Sequence, residues 1–138
     1  MNHLLLRLTT MCPQYDDAGL PHGYPMRSEL EVSPRDVRSM QEADAPHVLY
    51  DCRTPPEREM AKIEGDSVFI PMQELAERVD ELEKYRDAEA PLIVYCHHGV
   101  RSLRVAAWLQ QQGFENARSM AGGIDGWSHA IDPDVPIY

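Results

Sequence analysis

The sequence predicts an α/β fold: an open, mainly parallel sheet with helices on both faces. Two observations carry this. Short strand-like runs at residues 47–52, 67–70, 92–95 and 117–120 alternate with segments of helical character, the order that builds parallel crossover units. Leu92-Ile93-Val94-Tyr95 also reads as a parallel element covered on both faces. In such sheets ligands bind beyond the carboxyl ends of the strands, and Asp51 and Cys96 both fall at such ends.

Taken in order, residues 1–27 form an N-terminal extension ahead of a domain spanning 28–138. Pro13, Gly19, Pro21, Gly23 and Pro25 break up regular structure, so this segment is expected as an arm, packed on the domain or partly disordered. Leu4, Leu5, Leu6 and Leu8 allow a short strand or a contact with another subunit. Ser33 then serves as N-cap with Pro34 at N1, and Pro46 stops that helix. Thr54-Pro55-Pro56-Glu57 has capping-box spacing and opens a second, short helix. Met72, Leu75, Val79 and Leu82 recur at helical spacing, with Glu74, Glu77, Arg78 and Glu81 forming a solvated face. A further helix runs from Ser102 to Gln112 and is closed by Gly113, and Gly122-Gly123 precedes a last one containing Ile124 and Trp127.

A length of 138 residues fits one domain whose core needs neither disulfide nor metal. The net charge of −10 argues against nucleic acid or an anionic membrane as partners, because both demand a positive face. Any anion site must therefore be built locally. Cys12, Cys52 and Cys96 are odd in number and lack framework spacing, which points to a reducing compartment. The first residues lack a basic leader pattern and a spanning length, so the cytoplasm is the expected location. Cys12 with His3, His22 or His47 matches no zinc spacing, and no metal is expected.

The chemistry concentrates in Cys96-His97-His98-Gly99-Val100-Arg101-Ser102. A free thiol of pKa near 8.5 is only about 3% ionised at pH 7, and lowering it by about two units takes roughly 2.7 kcal/mol. Three features supply such stabilisation. The amides of residues 97–101 can turn toward the sulfur, with Gly99 permitting the tight backbone. The following helix directs its N-terminal dipole at the loop. Arg101 brings a permanent cation suited to a sulfur oxyanion. Cys96 is thus the expected nucleophile. The loop from Cys96 to Arg101 is one residue shorter than in cysteine phosphatases of related design, which favours a sulfur over a tetrahedral phosphate.

Tyr95-Cys96-His97-His98-Gly99-Val100-Arg101-Ser102, with Ala106-Ala107 and Gly122-Gly123-Ile124-Asp125-Gly126-Trp127, resembles the rhodanese-like single-domain sulfurtransferases. Asp51-Cys52-Arg53 with Pro56-Glu57 is similar to that family's Asp-x-Arg strand end, and 63–71 to the segment after it. The resemblance implies a five-stranded parallel sheet. It also implies that Cys96 takes a sulfane sulfur from a small donor anion such as thiosulfate and passes it to a thiol or cyanide, without a cofactor. His97, His98, Gly99, Val100, Arg101 and Ser102 would hold the persulfide. Lys62 and Asp66 depart from the family's usual histidine and alanine at structural positions, and His97 and His98 replace strongly basic residues of efficient thiosulfate users.

Asp51 and Arg53 are read as a buried ion pair bracing the loop, in preference to a substrate-binding role for Arg53. His97 and His98 are read as loop residues whose amides matter more than their rings; protonated, they would favour anions in mild acid. Cys52, which the family places beside Cys96, is read as a packed core thiol rather than one that resolves the persulfide as a disulfide. The competing function keeps the fold as a relay or protein-binding module that passes sulfur within a complex, to a sulfur-carrier protein. A phosphatase or arsenate reductase is the third option.

Overall fold

The computed structural model describes residues 14–86 and 89–138, so Cys12, His3 and the leucines of residues 4–8 lie outside the described residues. Five strands form one parallel sheet in the order β1-β5-β4-β2-β3. They are β1 (Glu31–Val32), β2 (Val48–Asp51), β3 (Val68–Phe69), β4 (Leu92–Tyr95) and β5 (Ala117–Met120). The sequence reading placed four of these; β1 escaped it because two residues carry no periodicity. Its pairing is set by β5, with Glu31 opposite Ser119 and Val32 opposite Met120.

Two helices cover one face: α1 (Pro34–Glu42) and α5 (Gly123–Ala130). Ser33 caps α1 in a full capping box with Asp36, and α1 stops at Glu42, before the expected Pro46. Val37, Leu49, Ile93, Tyr95, Ile124 and Trp127 are buried together there. The opposite face is covered by α3 (Leu75–Arg78), its flanking turns, and α4 (Val100–Gln111). Its core includes Tyr50, Leu82, Val94, Leu109 and Phe114, together with Cys52 and Cys96. Alternate residues of β2 and β4 thus feed different cores, the period of two expected of a strand covered on both sides.

The single helix expected over Met72 to Leu82 is instead 3-10 at Met72–Glu74, α at Leu75–Arg78 and 3-10 again at Val79–Tyr85. Val79, Leu82 and Tyr85 pack on the core and recur every third residue, the 3-10 period, so burial favours the tighter winding there. The short helix α2 (Pro55–Met60) follows β2, with Thr54 as its cap and Glu57 closing the capping box. Among the described residues no helix is long and apolar enough to cross a membrane.

Residues 14–26 lie against α1 and α5. Tyr15 is buried and donates its hydroxyl to Asp125 at 2.7 Å, while Gly19 meets Pro34 so closely that a Cβ would stand 2.6 Å from its ring.

Candidate active site

Asp51 and Tyr95 are opposite each other at the ends of β2 and β4, so Cys52 and Cys96 leave the sheet side by side. The Cys52 N–H donates to the Tyr95 carbonyl at 3.2 Å, which carries the ladder past the last paired residues. From Cys96 the chain turns through Gly99, at φ +103°, into α4. That helix begins at Val100, two residues before the expected Ser102, so the arginine and serine of the motif lie in its first turn.

The Cys96 side chain is 1% exposed. Its sulfur accepts the N–H of Gly99 at 3.1 Å and of Ser102 at 3.3 Å, and lies 3.3 Å from the Ser102 hydroxyl. The Ser102 hydroxyl in turn lies 2.8 Å from that of Ser119. Of the expected amides, 97–101, that of Gly99 reaches the resting sulfur, and the Ser102 amide, outside that set, joins it. The amides of His97, His98, Val100 and Arg101 make no hydrogen bond to it among the described residues. The reason is geometric: the carbonyls of Cys96 and His97 accept from Ile124 and Asp125 at the start of α5, which fixes those peptide units against α5. Gly123 permits this approach, since a Cβ there would lie 2.3 Å from the His97 carbonyl oxygen.

The Cys96 thiol is held well below the usual thiol range. The thiol of Cys52 beside it contributes most, followed by the Ser102 hydroxyl and the two amides, against the opposing effect of burial. Cys52 is pushed up correspondingly, by its hydrogen bond to Cys96 and by burial.

Arg101, expected to bring a permanent cation to the loop, is paired with a carboxylate. Its guanidinium makes two hydrogen bonds to Glu57, at 2.7 and 2.9 Å. Glu57 also accepts from the Tyr138 hydroxyl at 2.7 Å, and its carboxyl lies far below the usual carboxylate range, chiefly through Arg101. Asp51 and Arg53 form a fully buried pair: both carboxylate oxygens of Asp51 accept from the guanidinium, at 2.8 and 2.9 Å. Arg58 adds a third side-chain donor to Asp51, and the Arg53 guanidinium also reaches the Ala61 carbonyl and the Tyr138 hydroxyl.

His97 is clamped between two rings, His98 and Tyr138, each with its centroid 3.9 Å away. Burial lowers its pKa, with His98 adding to the effect. Its Nε2 has no hydrogen-bond partner among the described residues and lies 4.0 Å from Asp125 Oδ1. His97, His98 and Asp125 bring three possible ligand atoms within 4.8 Å of one another, the group among the described residues best placed to hold a cation. A cavity of about 210 Å³ flanks the loop, lined by Tyr24, His98, Gly99, Val100, Leu103 and Gly122.

Glu57, Asp125 and Tyr138 received no site role from sequence. Glu57 was legible as a capping residue and as part of the resemblance at the Asp-x-Arg strand end, and Asp125 only as part of the Gly-Gly-Ile-Asp-Gly-Trp run. Tyr138 had no signal, since it reaches the site through folding across 81 residues of chain from Glu57.

The family model described as the Rhodanese-like domain matches residues 33–130. The "Rhodanese-like/PpiC domain-containing protein 12, chloroplastic" of Arabidopsis thaliana is 36% identical over 110 residues, 80% of this chain and 35% of that protein. A "Thiosulfate sulfurtransferase GlpE" of Haemophilus influenzae (strain PittEE) is 50% identical over 58 residues, 42% of this chain and 55% of the relative. The chain therefore spans less than two thirds of either. Among solved structures, a rhodanese-related protein from Thermoplasma volcanium superposes with a TM-score of 0.64 at 28% identity, covering 79% of this chain and 99% of that one.

Proposed function

Because the chain belongs to the rhodanese-like domain family, we propose that it is a sulfurtransferase with Cys96 as covalent sulfur carrier. The observation that carries this reading is the sulfur itself, buried at a strand end and facing two backbone N–H groups and a hydroxyl. The Cys96 thiolate attacks the sulfane sulfur of a donor. With thiosulfate, the S–S bond breaks and its electron pair leaves with sulfite. The resulting persulfide carries its charge on the outer sulfur, within reach of the loop that stabilised the thiolate. A thiol or cyanide entering past Val100 and His98 attacks that outer sulfur and returns Cys96 to the thiolate.

A relay function, in which sulfur passes to or from a carrier protein, is favoured by a separate observation. Arg101 is neutralised by Glu57, and the chain carries a net charge of −10. A small dianion thus meets little free positive charge at the loop. A carrier protein that docks by its own surface does not need that charge.

Incubation with thiosulfate should add the mass of one sulfur atom at Cys96, and Cys96→Ser should abolish both the adduct and cyanide-dependent turnover. Normal turnover by the serine variant would overturn the mechanism. Faster transfer from a persulfidated carrier protein than from thiosulfate would single out the relay form.

A further inference from the structure

Among the described residues, Cys52 is a buried thiol to which this chemistry assigns no bond-making step. It stands at the next register position after the Asp51–Tyr95 pair, directly alongside Cys96 on the neighbouring strand. Adjacent strands run about 4.8 Å apart, and a disulfide spans Cα separations of about 4.4–6.8 Å. Both cysteines belong to the same buried cluster, so their side chains project to one face of the sheet. The Cys52 thiol reaches the Tyr95 carbonyl at 3.4 Å, which directs it across the gap toward β4. Both residues are 1% exposed, and among the described residues Cys96 is the other cysteine.

A thiol kept only for packing needs volume and nothing else. This one is fixed on the sheet side of the sulfur, while the amides of Gly99 and Ser102 approach from the loop side. An external acceptor has to enter through the loop mouth; Cys52 is already in place, which converts a bimolecular step into an intramolecular one.

We propose that Cys52 is the resolving thiol of Cys96: when no acceptor arrives, it displaces the outer sulfur of the Cys96 persulfide as sulfide and closes a Cys52–Cys96 disulfide. The inference rests on the persulfide reading above. The Cys52 sulfur forms a bond to Cys96 Sγ as the bond from Sγ to the outer sulfur breaks. That bond's electron pair leaves on the outer sulfur, which takes the Cys52 proton and departs as HS⁻. The outer sulfur is reduced to sulfide and the two cysteine sulfurs are oxidised to the disulfide, so no outside oxidant is needed. A dithiol reductant then restores both thiols with two electrons and two protons. The consequence is a second activity, sulfide release, that empties a carrier left loaded without an acceptor.

The test compares the full wild-type chain with Cys52→Ser, which keeps a hydroxyl donor beside the Cys96 sulfur but cannot close the disulfide. Both are loaded with thiosulfate, freed of donor and held without oxygen while intact mass and released sulfide are followed. In the wild type the sulfur adduct should disappear, giving a species two hydrogens lighter than the reduced chain, one sulfide per chain and a Cys52–Cys96 linked peptide. In Cys52→Ser the adduct should persist and sulfide release should be lost. Equal persistence of the adduct in both proteins, or a linkage that maps to Cys12, would overturn the proposal while leaving the sulfurtransferase reading intact. Failure of both proteins to take up sulfur would overturn that reading, and the resolving role with it.

Discussion

Ser102→Ala isolates one contributor to the anion at Cys96. When Cys96 is ionised, the Ser102 hydroxyl turns its proton to the sulfur at 3.3 Å and accepts from Ser119 at 2.8 Å. Alanine deletes that donor but keeps the Ser102 N–H on the sulfur and suits the first turn of a helix. A hydrogen bond to a charged group contributes about 1.5–3 kcal/mol, and one pKa unit is about 1.4 kcal/mol. The Cys96 pKa should therefore rise by about one to two units. The rate of iodoacetamide alkylation, measured against pH with intact-mass detection at Cys96, reads this shift. Ser119→Ala should produce a smaller rise, because it weakens the chain at its second link. A Ser102→Ala titration that overlays the wild type would show that the hydroxyl does not stabilise the thiolate, and the account of the loop would lose its side-chain donor.

Further outcomes follow from the same geometry. Gly99→Ala forces a side chain into φ +103° and places its Cβ 3.2 Å from the Gly122 nitrogen; the N–H should swing off the sulfur, slowing sulfur loading about tenfold or more, read by single-turnover mass spectrometry. Asp51→Asn leaves Arg53 buried with its carboxylate partner gone, so chemical denaturation should show a loss of about 3–5 kcal/mol, and an unchanged midpoint would refute the bracing role. The Cys96 thiol is pushed down to about 5, so loading should stay level from about pH 8 to about pH 6 and fall only toward pH 5, whereas an ordinary thiol would lose about tenfold per unit below 8. Because this acid's folded pKa is depressed, its stabilising contribution is complete above the unfolded thiol value near 8.5 and is lost as pH falls through the folded value. Denaturation midpoints should drop across that same window.

Much of the fold was legible because the pattern is local. Leu92–Tyr95 is a strand at the bounds its apolar character marked, Ala117–Met120 is the weaker strand expected there, and Ser33 and Thr54 cap the helices that their spacing announces. The run from Met72 to Tyr85 was harder, since a spacing of three or four is shared by α and 3-10 windings until the core chooses between them. At the site, Cys96, Gly99 and Ser102 were visible in one short motif. Arg101 was also visible, but its partner was not: Glu57 lies 44 residues away in sequence and meets it only after β2 and β4 have paired.

The sequence alone determined the alternation of strands and helices, the strand end that carries Cys96, and the glycine that lets the loop turn inward. These depend on neighbours a few residues apart, whose periodicity and backbone freedom act before any long-range contact forms. Tertiary structure decided the electrostatics. It laid Cys52 beside Cys96, set Glu57 against Arg101, and clamped His97 between His98 and Tyr138. The charge a group carries depends on what surrounds it within a few ångströms, and only strand pairing and loop closure bring those surroundings together.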